Sequence, residues 1–336
     1  MRGNIRLQSA TVMFVAPRHF LWERARILPL FQKRLRDLIG TSVQMQKRDV
    51  FLYFAFRPEK TLSRATRYAR EIQNKLPDFD FAILTYDKPQ RAHQEVFDLQ
   101  GMRVPHFIYG KEAADQLPYP NKIGPNFFLK PLNTDVAILL YWKDCPGYER
   151  YWVIEDDVEY TGNLGTLICD LRRLDAGLLA THVRHLPDDW DYIDKFRAGL
   201  NDSTVPKNCR LTFLPFHAVT NKALAAIDAA YREGWAGQYE MTWPAILDHA
   251  GLPITDLGGN GPYVAEEFKG RHYIDLSPGD YLKHGSFGTK RVRLGKGREP
   301  EILWHPVKTF PDWARMTVKR GVSMSKWLLK KYGIGF

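Results

Sequence analysis

Cysteine is scarce in this chain. Its three cysteines, Cys145, Cys169 and Cys209, are scattered and odd in number. They make neither a disulfide framework nor a cysteine zinc spacing, and such usage fits a reducing compartment. Long apolar runs are missing too. Stretches such as VAILLYW at 136–142 are far too short to span a bilayer. The N-terminal MRGNIRLQSATVMFVAPRH lacks a signal-peptide core and a cleavage site, so a soluble, cytoplasmic protein is expected. No Gly-x-x-x-x-Gly-Lys-Ser/Thr loop occurs, which disfavours an ATPase or kinase of that class. Internal repeats and low-complexity blocks are likewise missing.

What is present suits a globular enzyme-sized chain. The 336 residues are 44% hydrophobic, 26% charged and 13% aromatic, enough for a well-buried core. The formal charge is +10, which favours an anionic partner: nucleic acid, an anionic membrane surface or a phosphorylated substrate. Part of the excess is local. The last segment, 311–336, carries Arg315, Lys319, Arg320, Lys326, Lys330 and Lys331 against Asp312 alone, interleaved with Trp313, Trp327, Leu328 and Leu329. Such a basic amphipathic tail suits an anionic lipid surface, and equally a helix docked on its own domain.

Strand-like and helix-like patterns alternate through the first half. ATVMFVA (10–16), DVFLYFAF (49–56) and FDFAILTYD (79–87) read as strands, separated by helical periods over about 22–38 and 61–76. A proline-punctuated, less regular stretch follows from 88 to 131. A helix at about 133–142 then leads into YWVIEDDV. In the second half, AGLLATHV (176–183) and RLTFLPFHAVT (210–220) read as strands, and NKALAAIDAAYREG (221–234) as a helix. This alternation predicts an α/β domain with a mostly parallel central sheet flanked by helices.

The stretch YWVIEDDVEYTG (151–162) carries the most chemistry. An apolar strand ends in three consecutive carboxylates, Glu155, Asp156 and Asp157, whose mutual repulsion either water or a cation must relieve. Side chains alternate along a strand, so Glu155 and Asp157 point to one side and Asp156 to the other. Ligands gather at the carboxyl ends of parallel strands, and hard divalent cations take carboxylate and phosphate oxygens together. A solvated acidic turn is the alternative.

YWVIEDDVEYTGN resembles the DXD motif of GT-A glycosyltransferases in an E-D-D form. It is also similar to the W-x-x-E-x-D-x-x-Y-T-G stretch of a family of fungal GT-A-like proteins. The resemblance implies a Rossmann-like GT-A fold in a single large domain over residues 1–310. A nucleotide-binding half would occupy about 10–160, an acceptor half 161–310, and the tail 311–336. It implies that Asp157 is a metal ligand, with Glu155 and Asp156 in the nucleotide–metal shell, for Mn²⁺ or Mg²⁺ and a nucleotide-diphosphate sugar. In GQYEMTWPAILDHAG (237–251) it implies that Glu240, just ahead of a helix opened by Pro244, is the catalytic base. In EILWHPVKTFPDW (301–313) it implies that His305 completes the metal site and Lys308 meets the diphosphate, with His284 in YLKHGSFGTKR as competitor. Pro17, Arg18, Arg57 and Asp87, at the ends of the first strands, are the expected nucleotide contacts.

These readings converge on a metal-dependent glycosyltransferase. It would use a UDP-sugar in preference to other donors and a carbohydrate or lipid-linked acceptor, in surface polysaccharide synthesis, peripheral on the inner face of a membrane. Trp190, Tyr192, Trp235 and Trp243 are available either to stack on acceptor sugars or to fill the core. The alternatives are a metal-dependent nucleotidyl- or phosphotransferase and a nucleic-acid-binding protein. Nucleic acid is disfavoured because the basic residues concentrate in the tail.

Overall fold

Strand β1 (Asp49–Phe54, DVFLYF) is buried at every position, as a strand covered on both faces must be. In the computed structural model, residues 49–86, 92–124, 133–275, 285–289 and 299–307 are described. All lie within the unit Lys47–Phe336. The strand at 10–16, the helix at 22–38 and the tail 311–336 fall outside the described residues.

After β1, α1 (Leu62–Lys75) returns over the sheet and leads to β2 (Phe79–Tyr86). β3 (His93–Leu99), β4 (Met102–Tyr109) and the short α2 (Lys111–Asp115) follow, then α3 (Thr134–Asp144) and β5 (Arg150–Glu155). Next come β6 (Glu159–Tyr160), α4 (Leu164–Leu171), β7 (Leu178–His185), β8 (Arg197–Ala198) and β9 (Arg210–Thr220). The last elements among the described residues are α5 (Asn221–Arg232), β10 (Trp235–Ala236), α6 (Tyr239–His249), β11 (Ile254–Asp256) and β12 (Leu303–Trp304).

Eight strands form one sheet in the order β11-β7-β9-β5-β1-β2-β4-β3. Only β3 and β9 run against the others, through the antiparallel pairs β3–β4, β5–β9 and β7–β9. The architecture is therefore the expected one: a mostly parallel, Rossmann-like α/β sheet of the kind that the GT-A resemblance implies.

Alternation along each strand divides the core into two layers. Val50, Leu52, Phe54, Tyr151 and Val153 face α3, α5 and α6. Phe51, Tyr53, Trp152 and Ile154 face the opposite way, toward α1 and α4. Each such side chain contributes roughly 1.5–3 kcal/mol by leaving water. Helix α3 is buried over Thr134–Tyr141, almost all round, which explains why its sequence carries so little polar face.

The proline-punctuated stretch is more regular than its sequence suggests. β3 and β4 form a hairpin, and β4 extends the sheet in parallel with β2. The two strands are joined by Gln100 and Gly101 at φ 55° and 90°, with the Gly101 N–H donating to Asp98 Oδ1 at 2.6 Å. Two positive φ values make the tight turn that matches strand twist. Glutamine in its first place hides that turn from a reading of sequence.

The parallel strands β1, β2, β4, β5, β7 and β11 all deliver their carboxyl ends to one rim of the sheet. β5 brings the carboxylate run there. β1 lies beside it, with Phe54 level with Glu155.

Candidate metal and nucleotide site

β5 ends at Glu155, and a turn closed by the Val158 N–H on the Glu155 carbonyl (3.0 Å) carries Asp156 and Asp157. The chain then re-enters a small sheet, in which β6 pairs with β12. That pairing delivers the following residue, His305, to the turn. The Val307 N–H donates to the Asp157 carbonyl at 2.7 Å, so the segment 299–307 is strapped along the carboxylates.

His305 Nε2 lies 3.2 Å from Asp157 Oδ1, and its Nδ1 lies 2.7 Å from the Gly288 carbonyl. A carbonyl only accepts, so Nδ1 carries a proton there, and Nε2 is the ring nitrogen that faces the carboxylates. Phe213 and Phe287 hold the ring, with centroids 5.2 and 5.4 Å away. One ligand atom each from Glu155, Asp157 and His305 lies within 4.8 Å of the other two. Two carboxylate oxygens and an imidazole nitrogen suit a divalent cation such as Mn²⁺ or Mg²⁺, whose remaining positions phosphate oxygens or water can fill.

Asp156 stands apart from this cluster. Its carbonyl receives a hydrogen bond from the Arg64 guanidinium, which also pairs with Glu159 at 3.4 Å. Arg64 therefore pins the turn from α1 and places a positive charge behind three negative ones. Sequence reasoning missed it, because one arginine in a helical period carries no signal of what it will reach.

Glu240 is the second residue of α6, and nine-tenths buried. The helix begins five residues before Pro244, so the proline sits inside it and does not open it, a correction to the sequence reading. The Leu214 N–H donates to Glu240 Oε1 at 3.2 Å, and Gln238 Nε2 to Oε2 at 2.5 Å. Burial pushes the Glu240 carboxyl up to about 7, against the opposing pull of these two donors and of the His305 and Arg184 charges. A carboxyl poised near neutrality can take and return a proton at physiological pH.

The donor on Oε1 exists because β9 is irregular. Its ladder with β7 slips between Leu179 and Thr181 and again before Arg184. Across the slip, backbone groups of β9 turn to side chains. The Phe213 carbonyl accepts from Thr181 Oγ1 at 2.6 Å, and the Leu214 carbonyl from His217 Nδ1 at 2.6 Å. Burial lowers the His217 imidazole to about 4, so that ring stays neutral. Bulges of this kind re-aim groups beside active sites.

Of the expected nucleotide contacts, Arg57 is exposed just beyond β1, on the same rim as the carboxylates. Beside it is Phe56, 40% exposed and edge-on to Phe54 at 5.3 Å, an aromatic face that the sequence reading passed over. Pro17, Arg18, Asp87, His284 and Lys308 lie outside the described residues. Trp235 and Trp243 are buried in the core and present no face to a sugar. Trp190 and Tyr192 are half-buried on the chain after β7, rings 5.9 Å apart. His182 is buried and bonds the Phe287 carbonyl through Nε2 at 2.6 Å, a structural role. Among the described residues no helix is long and apolar enough to cross a membrane.

No protein-family model matches the sequence, and neither does any curated protein. Solved structures do resemble the fold. The galactosyltransferase LgtC, in complex with donor and acceptor sugar analogs, is 9% identical with a TM-score of 0.36, covering 62% of this chain and 73% of its own. Mouse xyloside xylosyltransferase 1 in its apo form is 10% identical with a TM-score of 0.35, covering 62% and 85%. The inositol-1-phosphate CTP transferase from T. maritima is 10% identical with a TM-score of 0.31, covering 63% and 86%. Identities and scores this low transfer no chemistry, so the reaction must be read from this chain's own side chains.

Proposed function

We propose that this chain is a divalent-metal-dependent glycosyltransferase that uses a nucleotide-diphosphate sugar, UDP-linked in preference to other nucleotides. The supporting observation is the convergence of Glu155, Asp157 and His305 at the rim of a parallel sheet. The E-D-D motif is the sequence feature that agrees with it. A cation held by these three residues would supply positive charge to the diphosphate as it leaves the sugar.

The remaining work falls to the chain itself. Arg57 and Phe56, one strand away, offer a cation and an aromatic face to phosphate, ribose or base. Arg64 keeps the carboxylate turn in place. Glu240 takes the proton of the acceptor hydroxyl as its oxygen bonds to the anomeric carbon and the bond to the diphosphate breaks. That assignment predicts inversion at the anomeric carbon. A buried carboxyl tuned near 7 is a feature that sugar transfer uses and plain nucleotide binding does not. The acceptor is a carbohydrate or a lipid-linked glycan. The basic residues of 311–336, alternating with tryptophan and leucine, suit the anionic membrane surface where such acceptors reside.

Calorimetric titration of UDP, with GDP as control, tests the donor site on wild type and Asp157→Ala, with and without Mn²⁺. Binding that needs the metal and vanishes in the variant supports the reading and justifies a screen of UDP-sugars. Failure to bind any nucleotide of a full panel in the presence of metal refutes it.

A further inference from the structure

Pro244 has no N–H, so the fifth residue of a regular helical turn cannot bond the carbonyl four residues earlier. That carbonyl belongs to Glu240, the carboxyl assigned above as the base. It is not left without a partner: Thr212 Oγ1, on β9, donates to it at 3.0 Å. Thr212 is buried, with 2% of its surface exposed. The proline thus hands a bond that the helix would have made within itself to a different element.

The element that receives it already touches the rest of the site. Two residues along β9, the Leu214 N–H holds Glu240 Oε1. Between them, Phe213 packs on the His305 ring. β9 is also paired directly to β5, with Phe216 opposite Ile154, one residue before Glu155. Three consecutive residues of one strand therefore hold the backbone of the base, its carboxyl and the imidazole of the metal cluster.

We infer that Thr212 is a positioning residue for the transfer reaction: through the Glu240 carbonyl that Pro244 leaves open, it ties the base to the strand that also carries the metal cluster. The inference rests on the glycosyltransferase reading of the site. A helix that bonded its own Glu240 carbonyl would keep the Leu214 tie to the carboxyl but lose the one that fixes the Glu240 backbone to β9. Displacements of the order of an ångström at a reacting group can cost about a hundredfold in rate.

The experiment compares wild type, Thr212→Val, Thr212→Ser and the double variant Thr212→Val/Pro244→Ala. Each is measured for Tm, for Mn²⁺-dependent UDP affinity, and for kcat and KM of sugar transfer or donor hydrolysis. Valine keeps the shape and removes the donor. Serine restores the donor. Alanine at 244 supplies an N–H, so the helix can satisfy the carbonyl by itself.

Expected are a kcat at least about tenfold lower in Thr212→Val with UDP affinity unchanged, recovery in Thr212→Ser, and a double variant that regains Tm but not kcat. If the double variant regains kcat along with Tm, Thr212 merely satisfies a carbonyl, and the inference is overturned. An active wild type with an equally active Thr212→Val overturns it too. A wild type that turns over no nucleotide sugar with metal present overturns both this inference and the glycosyltransferase reading, which separates the two kinds of failure.

Discussion

Glu240 should leave a measurable mark on folding stability, independent of any substrate. Its carboxyl ordinarily titrates near 4.5, and burial raises it to about 7 in the folded chain. Between those two values the unfolded chain has given up the proton while the folded chain keeps it. The folded state binds more protons there, so stability falls as pH rises across this window and levels off above about 7. At 1.36 kcal/mol for each pKa unit, a rise of this size corresponds to about 3 kcal/mol. Because the group is buried, solvent screening removes little of it. Glu240→Gln keeps the shape, and its amide can serve both the Leu214 N–H and Gln238 without ever ionising. Urea unfolding of wild type and Glu240→Gln, at steps from pH 4.5 to 8 in a chelator, measures the difference. The variant should gain on wild type by about 3 kcal/mol between the ends of that range. A difference that stays constant with pH, or falls, would refute the burial argument and with it the tuning of this carboxyl for proton transfer.

Three further perturbations follow from contacts around the site. Lys122 Nζ bonds the Gly237 carbonyl and pairs with Asp135 Oδ2, both at 2.8 Å, with the two side chains 2% and 0% exposed. Lys122→Met should therefore cost about 3–5 kcal/mol by denaturant unfolding. Lys122→Met/Asp135→Leu should recover only part of it, because the Gly237 carbonyl loses Lys122 and the Tyr231 hydroxyl loses Asp135 Oδ2, which it bonds at 2.6 Å. Gly237 holds φ 137°, and a Cβ there would lie 2.8 Å from Thr242 Oγ1, so Gly237→Ala should lower stability by about 1–3 kcal/mol and reduce kcat by shifting the start of α6. Arg64→Met removes the donor to the Asp156 carbonyl and the partner of Glu159. It should cost about 1.5–3 kcal/mol in Tm-based stability and weaken Mn²⁺-dependent UDP binding, whereas Arg70→Met, exposed on the same helix, should change neither.

Much of the sheet is legible in the sequence because its strands announce themselves. DVFLYF, YWVI and RLTFLPFHAVT are β-branched or aromatic runs whose two faces are both buried, and the fold keeps them as β1, β5 and β9. Direction is harder to read than existence. Nothing in RLTFLPFHAVT says that it runs against its neighbours on both sides, because direction is decided by which connections the chain can close. The hairpin of β3 and β4 escapes for a local reason. Its strand β3 is at the sheet edge and half-exposed, so HQEVFDL lacks a long apolar run, and a Gln-Gly turn is a weak signal.

The site divides along the same line. Its carboxylates are adjacent in the chain, so their mutual repulsion is visible in the linear order of residues alone. Their counterweights are remote: Arg64 comes from 92 residues earlier, and His305 arrives only because β12 pairs with β6. The proposed base, Glu240, shows how far a local reading carries. Pro244 lies inside a helix rather than at its start, and it draws attention to Glu240. Yet the proline's consequence is not where the helix starts but which carbonyl it leaves open, and the group that answers it, Thr212, lies 28 residues before Glu240 on strand β9. A buried carbonyl must find a donor. The missing N–H at Pro244 is therefore already a statement that some other segment has to supply one, and only the folded chain can say which.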